Sequence, residues 1–325
     1  MESQIIFESK AENSLVTIAI PTYKRDEMLV DAIKSALNQN TNISYNILVV
    51  DNNPERNDIT EKAMIQYKEN PIISYYKNNE NYGMIGNWNR LYELAKGKYV
   101  VMLHDDDILF PYYLQVMFSL LDETDYQYDL VYPSFHFSNE RILPTMELPE
   151  CLKYRIFKRE DYIVRQWGIP SGMMILREKF QMTGGFKMDY YPVGDQEFLY
   201  RALGFLKGCV IYFPIVFYYI GVNESMNPNT AIDIIYKSRM FNHLMRKDKN
   251  NSWRLFTYFS YRFQINSISK WVYRLTNSDE IVRYAKNNIG FKDNRLKDML
   301  SYRFVDILNR YLNKIRIHFF TLSNI

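Results

Sequence analysis

Three consecutive carboxylates, Asp105-Asp106-Asp107, follow an apolar run at residues 100–103 with only His104 between. Adjacent acidic side chains repel one another, so the cluster costs stability unless something positive sits among them. A few hard oxygen ligands of this kind suit Mg²⁺ or Mn²⁺, with phosphate oxygens completing the shell. A cation there would neutralise a diphosphate leaving group. A solvated acidic turn is the simpler alternative, but the position at the end of a buried strand favours the ligand reading. Asp51 closes a second apolar run, 47–50, where its carboxylate can accept from a base N–H or a ribose hydroxyl. Asp51-Asn52-Asn53-Pro54 is also ordinary turn chemistry. Asp195 opens a helical pattern. An N-cap is a frequent job for Asp there, and local chemistry alone favours it. Such a carboxylate keeps acceptor capacity to act as a general base on an acceptor hydroxyl.

The elements that hold these groups follow from the change of hydrophobic period. Residues 16–20 form a β-branched strand that should end at Pro21, which cannot continue a central ladder. Met28, Leu29, Ala32, Ile33, Ala36 and Leu37 then recur at helical spacing over 26–39. Strand 47–50, helix 61–69, strand 72–76 and helix 87–95 follow, with Gly97 as a C-cap. Strand 99–103 leads to a helix opened by Pro111 and running to about residue 121. Alternation of this kind implies right-handed crossovers and a mostly parallel sheet. Ligands of such sheets sit beyond the carboxyl ends of the strands. There stand Pro21-Thr22-Tyr23, Asp51-Asn52-Asn53 and His104-Asp105-Asp106-Asp107. Beyond these, strand 130–135, loop 140–153, strand 173–176, turn Thr183-Gly184-Gly185-Phe186, helix 195–206 and strand 210–213 are expected. From about residue 231 the apolar positions are helical throughout. The division is therefore an α/β catalytic domain at 1–230 and a helical extension at 231–325.

At 325 residues the chain suits one large domain and an appendage. Aromatic residues reach 16%, with 28 tyrosines, which fits sugar-binding surfaces, although a biased source composition explains it as well. Cys151 and Cys209 are the only cysteines, so zinc spacing is absent and a reducing, cytoplasmic compartment is expected. The first 13 residues have no basic-then-apolar leader pattern. The longest apolar run, 210–222, is broken by Pro214 and Gly221 and falls short of the ~20 residues of a spanning helix. No P-loop, HExxH or Ser-His-Asp order occurs, and no nucleic-acid partner is expected. The net charge of +3 is uneven: from Tyr236 onward there are 18 basic and 6 acidic residues, +12, leaving −9 for the rest. The basic tail calls for an anionic partner. An anionic membrane at the inner face of the plasma membrane, the acidic front domain and a homodimer surface are the alternatives.

Taken together, these stretches resemble glycosyltransferase family 2, whose members have the GT-A fold. Val16-Thr17-Ile18-Ala19-Ile20-Pro21-Thr22-Tyr23 is similar to the family's first strand and loop. Ile47-Leu48-Val49-Val50-Asp51-Asn52-Asn53 resembles its second. Glu80-Asn81-Tyr82-Gly83 through Gly86-Asn87-Trp88-Asn89 resembles the helix leading to the metal strand. His104-Asp105-Asp106-Asp107 looks like the DxD region, and Gly184-Gly185-Phe186 with Gly194-Asp195-Gln196-Glu197 like the segment carrying the base. The resemblance implies inverting transfer of a single sugar, hexosyl or N-acetylhexosaminyl, from a nucleotide-sugar, usually UDP-linked, using Mn²⁺ or Mg²⁺. It implies contact with the donor by Pro21, Thr22, Tyr23, Asp51, Asn89, Asp105 and Asp106. Asp106, with Asp107 sharing, would hold the metal, and Asp195 would be the base. The acceptor would be a glycan or a polyprenyl-diphosphate-linked sugar of a bacterial surface polysaccharide such as capsule or O-antigen. His104 stands where many members have Asp, and Asn223 where relatives often have His, which leaves a third metal ligand open. Gln166-Trp167 is not the Gln-x-x-Arg-Trp motif of processive synthases. A loop within 140–159 is expected to close over the donor. A non-catalytic nucleotide-sugar-binding subunit and a sugar-nucleotide pyrophosphorylase are the alternatives; the latter would need a Gly-rich basic loop after strand one.

Overall fold

The computed structural model describes residues 1–164, 168–221, 227–250 and 252–322. The Gln166-Trp167 pair and Asn223 lie outside them.

Strand β1 (Ser3–Phe7) pairs antiparallel with β4 and was not expected. β2 (Val16–Thr22), β3 (Tyr45–Asp51), β4 (Ile73–Asn78) and β5 (Tyr99–Met102) form the parallel heart of the sheet, in the order β4-β3-β2-β5. Their residues are almost wholly buried, as strands covered on both faces must be. β2 runs through Pro21 rather than ending there. Leu103 N–H donates to Ala19 and Asn52 N–H to Thr22. Pro21 therefore shares the edge of Ala19, toward β5, which has already stopped at Met102, so no N–H is asked of it.

Helices α1 (Glu27–Leu37) and α2 (Ile59–Met64) follow β2 and β3. α3 (Gly83–Leu94) follows β4 and starts earlier than the apolar pattern indicated. Its C-cap is Ala95; Gly97 lies two residues on, with its N–H on the Thr17 hydroxyl at 2.9 Å. α4 (Tyr113–Glu123) begins two residues after Pro111.

The second half of the sheet is mixed. After the short β6 (Ile108–Leu109) come β7 (Leu130–Ser138), β8 (Cys151–Phe157), β9 (Met174–Leu176) and β10 (Gly208–Tyr219). β7 and β10 are parallel, whereas β9 joins β5 and β7 antiparallel and β8 joins β10 antiparallel. β8 occupies 7 residues of the stretch 140–159 expected to hold a closing loop. Its Leu152 and Tyr154 are buried while Lys153 is exposed, an alternation of period two. The remaining irregular stretch is tied to α1 by Arg141 on Asp31 at 2.9 Å. α5 (Arg177–Thr183) and α6 (Gly194–Ala202) lie between β9 and β10.

The C-terminal region is helical as expected: α7 (Pro228–Lys247), α8 (Phe256–Thr276), α9 (Asp279–Asn288) and α10 (Arg295–Arg316). It then closes on β11 (Ile317–Thr321), which pairs with β8 and so adds one strand to the catalytic sheet. Nor is residue 230 a sharp boundary. Phe241 and Met245 of α7 sit in the same core as Tyr162, Phe198 and Tyr200. At the other end, Asp161 is buried between Arg316 at 2.8 Å and Arg155 at 3.3 Å. A buried charge pair of this kind is costly to break from one side. Gln264 of α8 donates to the carbonyls of Tyr162 and Ile163. The basic tail thus packs on the front domain through apolar contacts, Gln264 and the buried Arg316, and most of its positive charge remains outside.

Candidate active site

β2 and β5 deliver their last residues to one edge, and the acidic turn forms there. The Thr22 hydroxyl donates to Asp105 at 2.8 Å. Burial first, then the neighbouring Asp106, pushes the Asp105 carboxyl up to about 7, with Thr22 opposing. Asp107 folds the other way. It is fully buried, and its Oδ1 accepts the Tyr219 N–H of β10 at 3.2 Å. Burial and the neighbouring Asp106 hold its carboxyl well above the usual range.

His104 completes this turn. Its Nδ1 lies 3.8 Å from Asp107 Oδ2, and its ring stacks on Trp88 of α3 with centroids 5.4 Å apart. Burial lowers its pKa, so the ring is neutral and available as a ligand. Ligand atoms of His104, Asp106 and Asp107 lie within 4.8 Å of one another. Asp107 Oδ2 is buried, and a hydrogen bond from Ser171 favours the charged form of this carboxylate. Two carboxylates and an imidazole whose ligand atoms converge in this way fit a cation, and Mn²⁺ or Mg²⁺ suits the carboxylates. His104 is a candidate ligand that the residue types alone did not assign. Its signal was adjacency to the triple Asp.

Imidazole suits Mn²⁺ better than Mg²⁺. His104→Asp is therefore expected to narrow the preference for Mn²⁺ over Mg²⁺, read as the ratio of the two dissociation constants by calorimetry. An unchanged ratio would remove His104 from the ligand set.

Asp195 is not the N-cap. Gly194 is the first residue of α6 and Val193 precedes it, so Asp195 stands in the first turn. There its Oδ1 accepts the Gln196 N–H at 2.8 Å. Burial pushes its carboxyl up to about 8. A Cβ on Gly168 would come within 3.0 Å of Asp195 Oδ2, so the neighbouring backbone crowds the carboxylate.

Tyr218 of β10 packs its ring against Phe135 and Phe137. Burial, then the charges of Asp107, Asp106 and Asp195 in that order, all oppose its ionisation. One phenol thus feels both the acidic turn and the Asp195 carboxylate. Tyr218 was hidden in the sequence by the aromatic run around it.

Asn89 and Asp51 are placed differently. The Asn89 amide donates to the Phe186 carbonyl at 2.9 Å and accepts its N–H at 2.8 Å. Gly185 beside it has φ +70, a region that suits glycine, and its missing Cβ would meet Asn89 Oδ1 at 2.6 Å. Arg201, paired with the buried Glu197, holds the carbonyls of Thr183 and Gly185. Asn89 therefore holds the turn that leads into α6, with both ends of its amide engaged. Asp51 is fully buried. It accepts from Asn53 N–H at 2.9 Å, the Tyr75 hydroxyl at 2.8 Å and Lys77 at 2.7 Å. Burial raises its pKa and Lys77 opposes. Three of its roughly four acceptor positions are taken from within the chain. Pro21 is buried in β2, and Tyr23 is 43% exposed at the mouth of the strand edge.

The profile of glycosyl transferase family 2 matches residues 17–182, half of the chain, and that span carries β2, Asp51 and the acidic turn. The chain belongs to glycosyl transferase family 2. Asp195 and Tyr218 lie beyond the matched span. An uncharacterised glycosyltransferase of Methanocaldococcus jannaschii is 31% identical over 191 residues, 58% of this chain and 63% of that protein. One of Rickettsia conorii is 28% identical over 141 residues, 43% of this chain and 22% of that protein. The putative colanic acid biosynthesis glycosyl transferase WcaA of Escherichia coli is 27% identical over 130 residues, covering 40% and 44%. The chain thus spans less than two thirds of the length of these family members. Among solved structures, S. aureus TarS 1-349 with UDP-GlcNAc superposes with a TM-score of 0.53 at 16% identity, covering 91% of each chain. The mannosyltransferase PcManGT of Pyrobaculum calidifontis, with GDP-Man and Mn²⁺, gives 0.53 at 12% identity, covering 96% and 91%. At such identities the likeness is one of fold, and it extends past the matched span into the helical region. The glycosyltransferase fold of the family is GT-A, as the motif order implied.

Proposed function

We propose that this family member is a metal-dependent, inverting glycosyltransferase. It moves one sugar from a nucleoside-diphosphate donor, UDP-linked in our reading, to a hydroxyl of a glycan or polyprenyl-diphosphate-linked acceptor. The observation that carries the reading is the cluster of His104, Asp106 and Asp107 at the carboxyl end of β5, whose ligand atoms lie within 4.8 Å of one another; the buried Asp195 carboxylate supports it. A diphosphate site and a proton acceptor are the two things a one-step displacement needs. The donors bound by TarS and PcManGT and the name of the colanic acid relative support the donor class and a surface-polysaccharide setting.

Asp106 and Asp107, with His104, would hold Mn²⁺ or Mg²⁺. When bound, the cation offsets the charge that builds on the departing diphosphate. Asp105, fixed by Thr22, faces the ribose or sugar hydroxyls, and Tyr23 and Pro21 border the donor. Asp51 has one acceptor position left for the base. Asp195 takes the proton of the acceptor hydroxyl as its oxygen attacks the anomeric carbon and the carbon–oxygen bond to diphosphate breaks. Attack opposite the leaving group inverts the configuration. Burial suits Asp195 to this work, because a raised pKa makes a carboxylate a better base near neutral pH.

The reading is tested by offering UDP-, GDP- and dTDP-linked hexoses and N-acetylhexosamines with Mn²⁺ and a lipid extract as acceptor. Release of one nucleoside diphosphate, suppressed by chelation, is expected. Absence of release from every donor, from protein that remains folded, would sink the catalytic reading.

A further inference from the structure

α10 buries Ser301, Val305, Leu308 and Leu312, packing partly on Ile163 and Val164. Its opposite face is not the polar one of an ordinary surface helix. Leu296, Leu300, Ile307 and Tyr311 stand there at 62%, 54%, 69% and 56% exposure, four and seven residues apart. Arg303 and Lys314, both exposed, fall on the same stripe at intervals of three and four. The acids of α10 do not offset them. Asp298 is paired with Arg262, and Asp306 with Arg310. The stripe lies within the segment that has 18 basic and 6 acidic residues.

An apolar row in water asks to be covered, and the charges say by what. A second copy placed symmetrically would bring its own Arg303 and Lys314 to the same contact, setting like charges together. A solvated protein surface would answer the charges and leave the apolar row uncovered. A surface that is apolar within and anionic at its rim answers both. We propose that α10 lies flat on an anionic lipid bilayer. Leu296, Leu300, Ile307 and Tyr311 enter the boundary between headgroups and acyl chains, and Arg303 and Lys314 meet lipid phosphates. No described helix is long and apolar enough to cross a membrane, so the attachment is interfacial. This docking is independent of the chemistry proposed for the acidic turn.

The test is cosedimentation of the full chain with vesicles of phosphatidylglycerol and phosphatidylcholine, against vesicles of phosphatidylcholine alone. Binding to the anionic vesicles only, weakened by added salt, is expected. Arg303→Gln and Lys314→Gln should each weaken it about fivefold. Leu300→Ser with Ile307→Ser should abolish it. Thermal unfolding of each variant, matched to the parent, shows that folding is intact. No binding at low salt, equal binding to neutral vesicles, or binding untouched by the charge variants would overturn the proposal. So would self-association abolished by the serine variant while vesicle binding persists, which would make the stripe a contact between copies.

Discussion

Asp195→Asn is expected to lower kcat/KM by about 10²–10⁴, the range that a positioned general base supplies. The amide keeps the shape and cannot take a proton. The pH profile carries the more specific part of the result. In the parent, kcat/KM should rise with pH through a limb near pH 8, because burial holds the Asp195 carboxyl at about 8. In the variant that limb should vanish. Stability moves in the opposite sense. A carboxyl whose pKa is raised from about 4 on folding contributes most below pH 4, and the contribution is lost as pH rises through 8. Asp195→Asn should therefore raise the unfolding temperature relative to the parent at pH 9 and change it little at pH 4. An enzyme that keeps both its rate and its pH limb after the substitution would take the base role from Asp195.

Asp106→Ala is expected to weaken Mn²⁺ binding by at least about 100-fold, since loss even of outer partners costs 10- to 100-fold. Activity at ordinary Mn²⁺ concentrations should fall with it. The geometry makes the effect direct: Asp106 stands between Asp105, one oxygen of which is taken by Thr22, and Asp107, one oxygen of which is taken by Tyr219. Mn²⁺ affinity should also rise with pH. Burial and Asp106 hold the Asp107 carboxyl well above its usual range, so a cation must displace its proton. Calorimetry in buffers of different ionisation enthalpy reads that proton release. Undiminished Mn²⁺ binding by the variant would move the cation away from this turn.

The parallel heart of the fold was legible because buried strands and amphipathic helices have different periods, and the turn residues between them are unambiguous. Positions at the carboxyl ends of β2, β3 and β5 followed from that alone. What stayed hidden depends on long-range pairing. β1 is a strand because β4 offers it an edge, and β11 because β8 does. β8 read as loop because the prolines before it outweighed the alternation of Leu152, Lys153 and Tyr154. Pro21 looked like a strand end because sequence does not say toward which neighbour its missing N–H points. The site divides in the same way. The triple Asp and Asp195 were visible as residue types in place. Asn89 as the clamp on Phe186 and the stacking of His104 on Trp88 emerged only when α3 was laid across the acidic turn. The hold of β10 on the acidic turn, through Tyr219 and Asp107, needed the fold to be seen.

The central claim is that the turn from His104 to Asp107 is a cation-dependent site for a nucleoside diphosphate. It is tested most directly by calorimetric titration of UDP, GDP and dTDP into the parent chain and Asp106→Ala, each with and without Mn²⁺. We expect one nucleotide to bind the parent only when Mn²⁺ is present, and none to bind the variant. Binding that ignores Mn²⁺, or survives in the variant, would contradict the account.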